Sequence, residues 1–303
     1  EVQLGTRTPD QAEAIATARE NERYLPGVRL PEAIEVRPSS QIELAGIDLV
    51  CLAVPSASYP QAVGALSDRI GRRAAILLLA KGLIAPKGQL PSEYVTERIQ
   101  TRGISCLGGP AHAREAVSGS AALVLGTSDE DLKAQLGNVF DKAGLVCERS
   151  GDVIGVEMAG AAKNAAVLAA AAAEPHGLNA AGIAAAGVWR ECVQYAVMQG
   201  AELDTFNGLA GVGDLLATVM AEGSRNRRAG ELLGRDTPPD QVRREIGQAS
   251  EALDSVPQIA ATVAASGCPA EALQGLADLA TGRIGSEEWV AALRRVGHKR
   301  RAA

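Results

Sequence analysis

The feature that most constrains the fold is a change of rhythm near Ser150. Before it, short aliphatic runs alternate with stretches of helical spacing. After it, the strand-like runs stop. "IDLVCLAVP" (47–55), "AAILLLA" (74–80), "ISCLGGP" (104–110), "AALVLGT" (121–127) and "GLVCE" (144–148) read as strands, with "EVQL" (1–4) as a further one. Continuous apolar runs of this length, bounded by proline, glycine or polar residues, suit a sheet covered on both faces. Helical spacing fills the intervals at 9–25, 57–70, 91–100 and 129–142. Strands alternating with helices predict a doubly wound, parallel α/β sheet over residues 1–150. Residues 151–303 predict an all-helical unit, broken at 174–179, 200–205, 208–213, 234–239 and 266–269.

Ligands of such sheets bind beyond the carboxyl ends of the strands. A helical half closing over that edge makes a cleft between the two parts. A Rossmann-type dinucleotide site opens with strand, GxGxxG and helix. Here "EVQL" runs into "GTRTPD" without a phosphate loop. It reads as the second strand of such a sheet, so about 30 residues, one strand–helix step, are expected upstream or lost.

Composition narrows the partners. Only 3% of residues are aromatic, so closely approaching helices and aliphatic strands must build the core. A net charge of −6 argues against general nucleic-acid binding, which needs a basic face. The basic tail "HKRRAA" reads as a solvated terminus. No segment reads as membrane-spanning; the alanine run after Lys163 looks too short and too weakly apolar. Five cysteines without CxxC read as reduced, mostly core-filling thiols of a cytoplasmic protein. Three widely separated histidines give no metal site.

Several polar groups stand where chemistry could occur. Lys163 and Asn164 interrupt "GVEMAGAAKNAAVLAAAAAE" (155–174), a helix otherwise made of packing surface. A lysine there either snorkels to water or is partly desolvated, in which case its pKa falls and it can exchange a proton near neutrality. Lys81, Gly109 and "VPS" (54–56) each follow a buried strand, so three strand ends converge on one edge. Ser224, Arg225 and Asn226 open a basic helix. Its start offers N–H groups and an arginine fork to phosphate, or is only a serine cap beside solvated charges.

The stretches "RENERYLPGVRLP" (19–31), "LAVPS" (52–56), "AKGL" (80–83), "GPAHAREA" (109–116), "GVEMAGAAKN" (155–164), "TFNGLAGVGDLLAT" (205–218) and "SRNRRAGELLG" (224–234) occur in one order along nearly the whole chain. With them the sequence resembles the bacterial-type NAD(P)-dependent glycerol-3-phosphate dehydrogenases. The resemblance implies NADP or NAD as cofactor and a small phosphorylated substrate. It implies a homodimer through the helical half and a supply of glycerol 3-phosphate for phospholipid synthesis. It makes Lys163 the catalytic acid/base. Substrate contacts fall to Lys81, Gly109, Ala111, Lys163, Asp214, Ser224, Arg225 and Asn226. Cofactor contacts fall to Arg7, Lys81, Ala113, Arg225 and Glu251, with Arg7 placed for an adenosine 2′-phosphate.

Three departures accompany the resemblance: the absent glycine loop, Ala111 in place of a hydroxyl residue, and Ala252 in place of glycine. They motivate a second reading, a catalytically impaired paralogue that binds a phosphorylated metabolite or a partner. A third is a hydroxy-acid or sugar-phosphate dehydrogenase of the same architecture.

Overall fold

The computed structural model describes residues 1–247 and 250–299; residues 300–303 of the basic tail lie outside it. The chain opens with β1 (Val2–Thr6) and α1 (Pro9–Ala18). Thr8 caps α1, its hydroxyl accepting from the Gln11 N–H at 3.3 Å, and proline stands in the first turn. This helix ends well before the expected 25, because Arg19 turns left-handed at φ 52°. Strand β2 (Ile34–Pro38), which the apolar pattern did not mark, pairs in parallel with β1 as a separate two-stranded sheet. Isolated apolar residues among Glu35, Arg37 and prolines conceal it.

The second sheet follows, with β3 (Leu49–Leu52), α2 (Tyr59–Leu66), β4 (Ala75–Leu78), α3 (Pro91–Thr96), β5 (Gly103–Gly108), α4 (Ala113–Val117), β6 (Ala122–Gly126), α5 (Glu130–Lys142) and β7 (Val146–Ser150). Its strand order is β3-β4-β5-β6-β7. All pairs are parallel except β5 with β6, which run antiparallel with Cys106 opposite Gly126. The link between those two strands carries only the five-residue α4. That is too little helix for the usual parallel crossover. Strand β4 is buried at every residue, as the central layer of an α/β sandwich requires.

Helices alone follow among the described residues: α6 (Val153–Ala173), α7 (Leu178–Met198), α8 (Leu203–Asn207), α9 (Asp214–Met220), α10 (Arg225–Leu233), α11 (Pro239–Ile246), α12 (Glu251–Ala265), α13 (Glu271–Ala280) and α14 (Ser286–Lys299). Helix α6 is the axis on which both halves pack. Asp152 caps it, accepting from the Gly155 N–H at 2.7 Å, and also accepts from the Glu202 N–H at 2.9 Å. By length and mean hydropathy (1.3) the segment Val153–His176 could cross a bilayer, contrary to the reading of its sequence. Yet 83% of its apolar window is buried inside the protein, which makes it a core helix.

Alanine and glycine allow close approach around this axis. A Cβ on Gly230 of α10 would stand 2.5 Å from the Leu168 carbonyl oxygen of α6. The cysteines depart from their expected role. All five are free, but only Cys106 and Cys192 are buried. Cys51 alternates outward on β3, an edge strand. Among the described residues no cluster of histidine, cysteine or carboxylate could hold a metal ion.

Candidate active site

Lys163 does not snorkel. It is 7% exposed on α6, and its Nζ donates to Thr218 Oγ1 at 3.0 Å. Asp214, at the start of α9, is 2% exposed and bridges two ammonium groups. Its Oδ2 lies 2.7 Å from Lys81 Nζ and its Oδ1 lies 3.3 Å from Lys163 Nζ. Thr218, one turn along α9, donates to Asp214 Oδ1 at 3.2 Å. Lys81 also donates to the Gly109 carbonyl at 3.2 Å, so the ends of β4 and β5 meet at the same ammonium.

Glycines shape this edge. Gly109 has φ +92°, and a Cβ there would sit 2.8 Å from the Ala122 carbonyl oxygen. Between α8 and α9 the segment Leu209–Gly213 forms a π-turn. A Cβ on Gly211 would overlap the Phe206 carbonyl oxygen at 2.0 Å, so only glycine lets this turn deliver Asp214 to the edge.

The protonation states follow from burial and charge. Burial, with help from the neighbouring Lys81 ammonium, brings the Lys163 pKa down to about 8, and Asp214 opposes the fall. For Asp214, burial alone would raise the pKa; the ammoniums of Lys81 and Lys163 outweigh it and hold the carboxyl below its ordinary value. The site therefore contains a fixed anion, a cation reaching solvent at 23% side-chain exposure, and a lysine poised near neutrality.

A second polar chain runs outward from Lys81. Asn164 Nδ2 donates to the Lys81 carbonyl at 3.0 Å, and Asn226 Nδ2 donates to Asn164 Oδ1 at 2.8 Å. Asn226 Oδ1 accepts from Ser250 Oγ at 2.9 Å and from the Ala252 N–H at 3.3 Å. Ala252 is fully buried and keeps this backbone bond, so alanine there does not break the contact. The Glu251 carboxylate accepts from the N–H groups of Ser56 and Lys81, each at 3.3 Å.

Of the residues proposed from sequence, the structure joins Lys81, Gly109, Lys163 and Asp214 directly; Glu251 accepts from the Lys81 N–H, and Asn226 reaches the Lys81 carbonyl through Asn164. Ser224 is used locally: it caps α10, accepting from the Arg227 N–H at 3.3 Å. Arg225 is exposed at the first position of α10, beside Asn226. Ala111 and Ala113 lie at the mouth of the β5–α4 turn. Arg7 is exposed and lines a recess of ≈350 Å³ with Thr8, Asp10, Gln11, Glu20 and Arg23. Both signs of charge line that recess, which gives no preference for a 2′-phosphate. A broader recess of ≈920 Å³, beside Ser92, Thr96, Ile99 and Ser128, holds none of these groups. Sequence reasoning missed Thr218. Its i,i+4 spacing from Asp214 on a helix was the available signal.

Comparison with known proteins decides the family. The N-terminal model of NAD-dependent glycerol-3-phosphate dehydrogenase matches residues 1–133, and the C-terminal model matches residues 152–291. The chain belongs to this dehydrogenase family. A curated glycerol-3-phosphate dehydrogenase [NAD(P)+] of Deinococcus radiodurans is 36% identical over 95% of this chain and 85% of its own. One from Dechloromonas aromatica is 30% identical over 93% and 86%. The crystal structure of glycerol-3-phosphate dehydrogenase from Coxiella burnetii superposes with a TM-score of 0.90, covering 97% of this chain and 91% of that one at 24% identity. A ketopantoate reductase from Ralstonia eutropha reaches only 0.58 at 18% identity. The glycerol-3-phosphate dehydrogenase family thus accounts for both halves, and the α/β-plus-helical fold is the one its solved members share.

Proposed function

We propose that this protein interconverts sn-glycerol 3-phosphate and dihydroxyacetone phosphate, exchanging a hydride with NADP or NAD. The observation that carries the reading is the buried Lys163, set near neutrality beside Asp214 and Lys81 at the carboxyl edge of the sheet. The edge suits a nicotinamide nucleotide. The backbone N–H groups of Ser56 and Lys81 converge there, both now taken by Glu251. Arg7, Lys81, Ala113, Arg225 and Glu251 would hold the cofactor, and when bound it supplies or accepts the hydride at the carbinol carbon.

The chain's own groups do the rest. Lys163 in its neutral form takes the hydroxyl proton of glycerol 3-phosphate; in its charged form it protonates the oxygen of dihydroxyacetone phosphate. Lys81 keeps an ammonium where negative charge grows on that oxygen. Asp214 and Thr218 fix the direction of the Lys163 amine. Gly109, Ala111, Ser224, Arg225 and Asn226 line the substrate side, with the start of α10 facing the phosphate. At Ala111 the missing hydroxyl forfeits one hydrogen bond, a net loss of about 1 kcal/mol.

The same reading assigns residues 1–150 to the cofactor and 151–303 to the substrate. It places the reaction in the cytoplasm, feeding phospholipid synthesis, and joins two copies through the helical half, where Leu178 and Met220 are exposed at 78% and 76%. The relatives named above carry the activity in their names, and nothing among them favours an impaired paralogue. The test is Lys163→Ala. Turnover should fall by roughly 10²–10⁴ while the fold persists; near-native turnover would remove Lys163 from the chemistry.

A further inference from the structure

Glu157, Gly160 and Asn164 share one face of α6, at the i, i+3, i+7 spacing of a helix. All three meet one segment of the α/β half, residues 81–92. Asn164 holds its start, donating to the Lys81 carbonyl at 3.0 Å. Gly160 makes room for the Lys81 stem: a Cβ there would stand 3.1 Å from Lys81 Cγ. Glu157 holds its end, one carboxylate oxygen accepting from the Ser92 N–H at 3.0 Å and the other from the Ser92 hydroxyl.

The segment is closed on itself between these anchors. The Ile84 N–H donates to the Gln89 carbonyl at 2.9 Å, and the Gln89 N–H returns the bond at 3.2 Å. Fixing Ser92 therefore fixes the returning limb, and the paired bonds carry that constraint to the limb bearing Lys81. The far side of the segment rests on α12, where a Cβ on Gly88 would overlap Thr262 Oγ1 at 2.0 Å.

Glu157 is 5% exposed, and no ion pair compensates it among the described residues. The titratable groups that face it are Glu93 beside Ser92 on α3, Tyr59 on α2 and Cys106 on β5. None is a cation. Burial brings its pKa up to about 8, against the two bonds from Ser92. A buried carboxyl without a cation is costly unless its bonds serve the fold or the site.

We propose that Glu157 is a positioning residue for the reaction: through Ser92 it sets the 81–92 segment, and so holds the Lys81 ammonium in register with Asp214 and Lys163. The inference rests on the dehydrogenase reading above. It does not depend on the charge of Glu157. The Ser92 hydroxyl donates to a carboxylate or accepts from a carboxylic acid, and the N–H donates to either. Glutamine offers the same pair of partners; leucine offers none.

The experiment compares Glu157→Gln and Glu157→Leu. It measures the pH dependence of kcat/KM for dihydroxyacetone phosphate and the amide hydrogen exchange of residues 81–92. Glutamine should stay close to native in both. Leucine should lower kcat/KM roughly ten- to hundredfold, the scale of a small misplacement at an active site. It should also shift the limb governed by Lys163 to higher pH, because the Lys81 ammonium that depresses that pKa has moved away. Faster exchange should be confined to 81–92. Ser92→Ala, which removes only the hydroxyl bond, should shift the limb in the same direction by less, and serves if the leucine variant does not fold. A native limb with native exchange in the leucine and alanine variants overturns the proposal, as does a glutamine variant as impaired as the leucine one. If the native protein turns over no dihydroxyacetone phosphate, the dehydrogenase reading falls, while exchange at 81–92 still decides whether Glu157 anchors that segment.

Discussion

Replacing Asp214 by asparagine removes the anion that bridges two ammoniums while keeping its shape. Breaking a buried ion pair by deleting one partner ordinarily costs about 3–5 kcal/mol. Both cations here have an escape, so the loss should be smaller. Lys163 has a pKa near 8 in the folded protein. Discarding its proton at pH 7 therefore costs about 1 kcal/mol, since one unit of pKa is about 1.4 kcal/mol, and the penalty on its side cannot exceed that. Lys81, with a side chain 23% exposed, can turn toward water; its share, screened by solvent, is about 1 kcal/mol. The expected destabilisation is about 2 kcal/mol at pH 7 by this reckoning.

The pH dependence supplies the sharper check. Lys163 titrates near 10.5 when unfolded, so the unfolded chain contributes no change between pH 7 and pH 9. In the native protein at pH 9 Lys163 is already mostly neutral and has no charge left to compensate. Its part of the penalty vanishes, and the destabilisation should shrink by about 1 kcal/mol from pH 7 to pH 9. Denaturant unfolding of native protein and Asp214→Asn at the two pH values measures this. A destabilisation unchanged between them, or larger at pH 9, would mean that Asp214 does not compensate a Lys163 charge.

Other perturbations follow from the same geometry. Lys81→Met removes a like charge from beside Lys163, so the alkaline limb of dihydroxyacetone phosphate reduction should move to higher pH as kcat falls; Asp214→Asn should move it to lower pH, and pH–rate profiles of the two variants test the opposite signs. Gly160→Ala gains about 1 kcal/mol of helix preference but brings a Cβ to 3.1 Å from Lys81 Cγ. Thermal melting should be unchanged or slightly improved while turnover drops, and a loss of stability with full activity would contradict this. Gly230→Ala presses a Cβ to 2.5 Å from the Leu168 carbonyl oxygen, where backbone must move. Denaturant unfolding should show a loss of about 1–3 kcal/mol.

The sequence made the layered plan legible because buried parallel strands are continuous apolar runs, and β4 is buried at every residue. It hid β2, where prolines and charges flank isolated apolar residues, and the antiparallel step from β5 to β6, which no local pattern encodes. Lys163 and Lys81 were visible as polar groups in packing surface and at a strand end, and Asp214 through the family resemblance. Their joining through one carboxylate was not, since residues 81, 163 and 214 meet only when α6 and α9 close on the sheet. Thr218, marked only by its spacing from Asp214, and Glu157 did not stand out for a related reason: a threonine or glutamate on a helix usually faces water, and only burial in the assembled fold assigns them partners. The length of α6 misled in the other direction, since a core helix and a membrane span share one composition until packing separates them.

The most direct test of the account is nicotinamide absorbance decay on adding dihydroxyacetone phosphate, with NADPH and NADH in separate runs, from pH 6 to pH 10. Consumption should depend on dihydroxyacetone phosphate and decline as pH rises through about 8, where Lys163 loses the proton it must donate. Folded protein that consumes neither cofactor at any pH would contradict it, and so would a rate that climbs through that range.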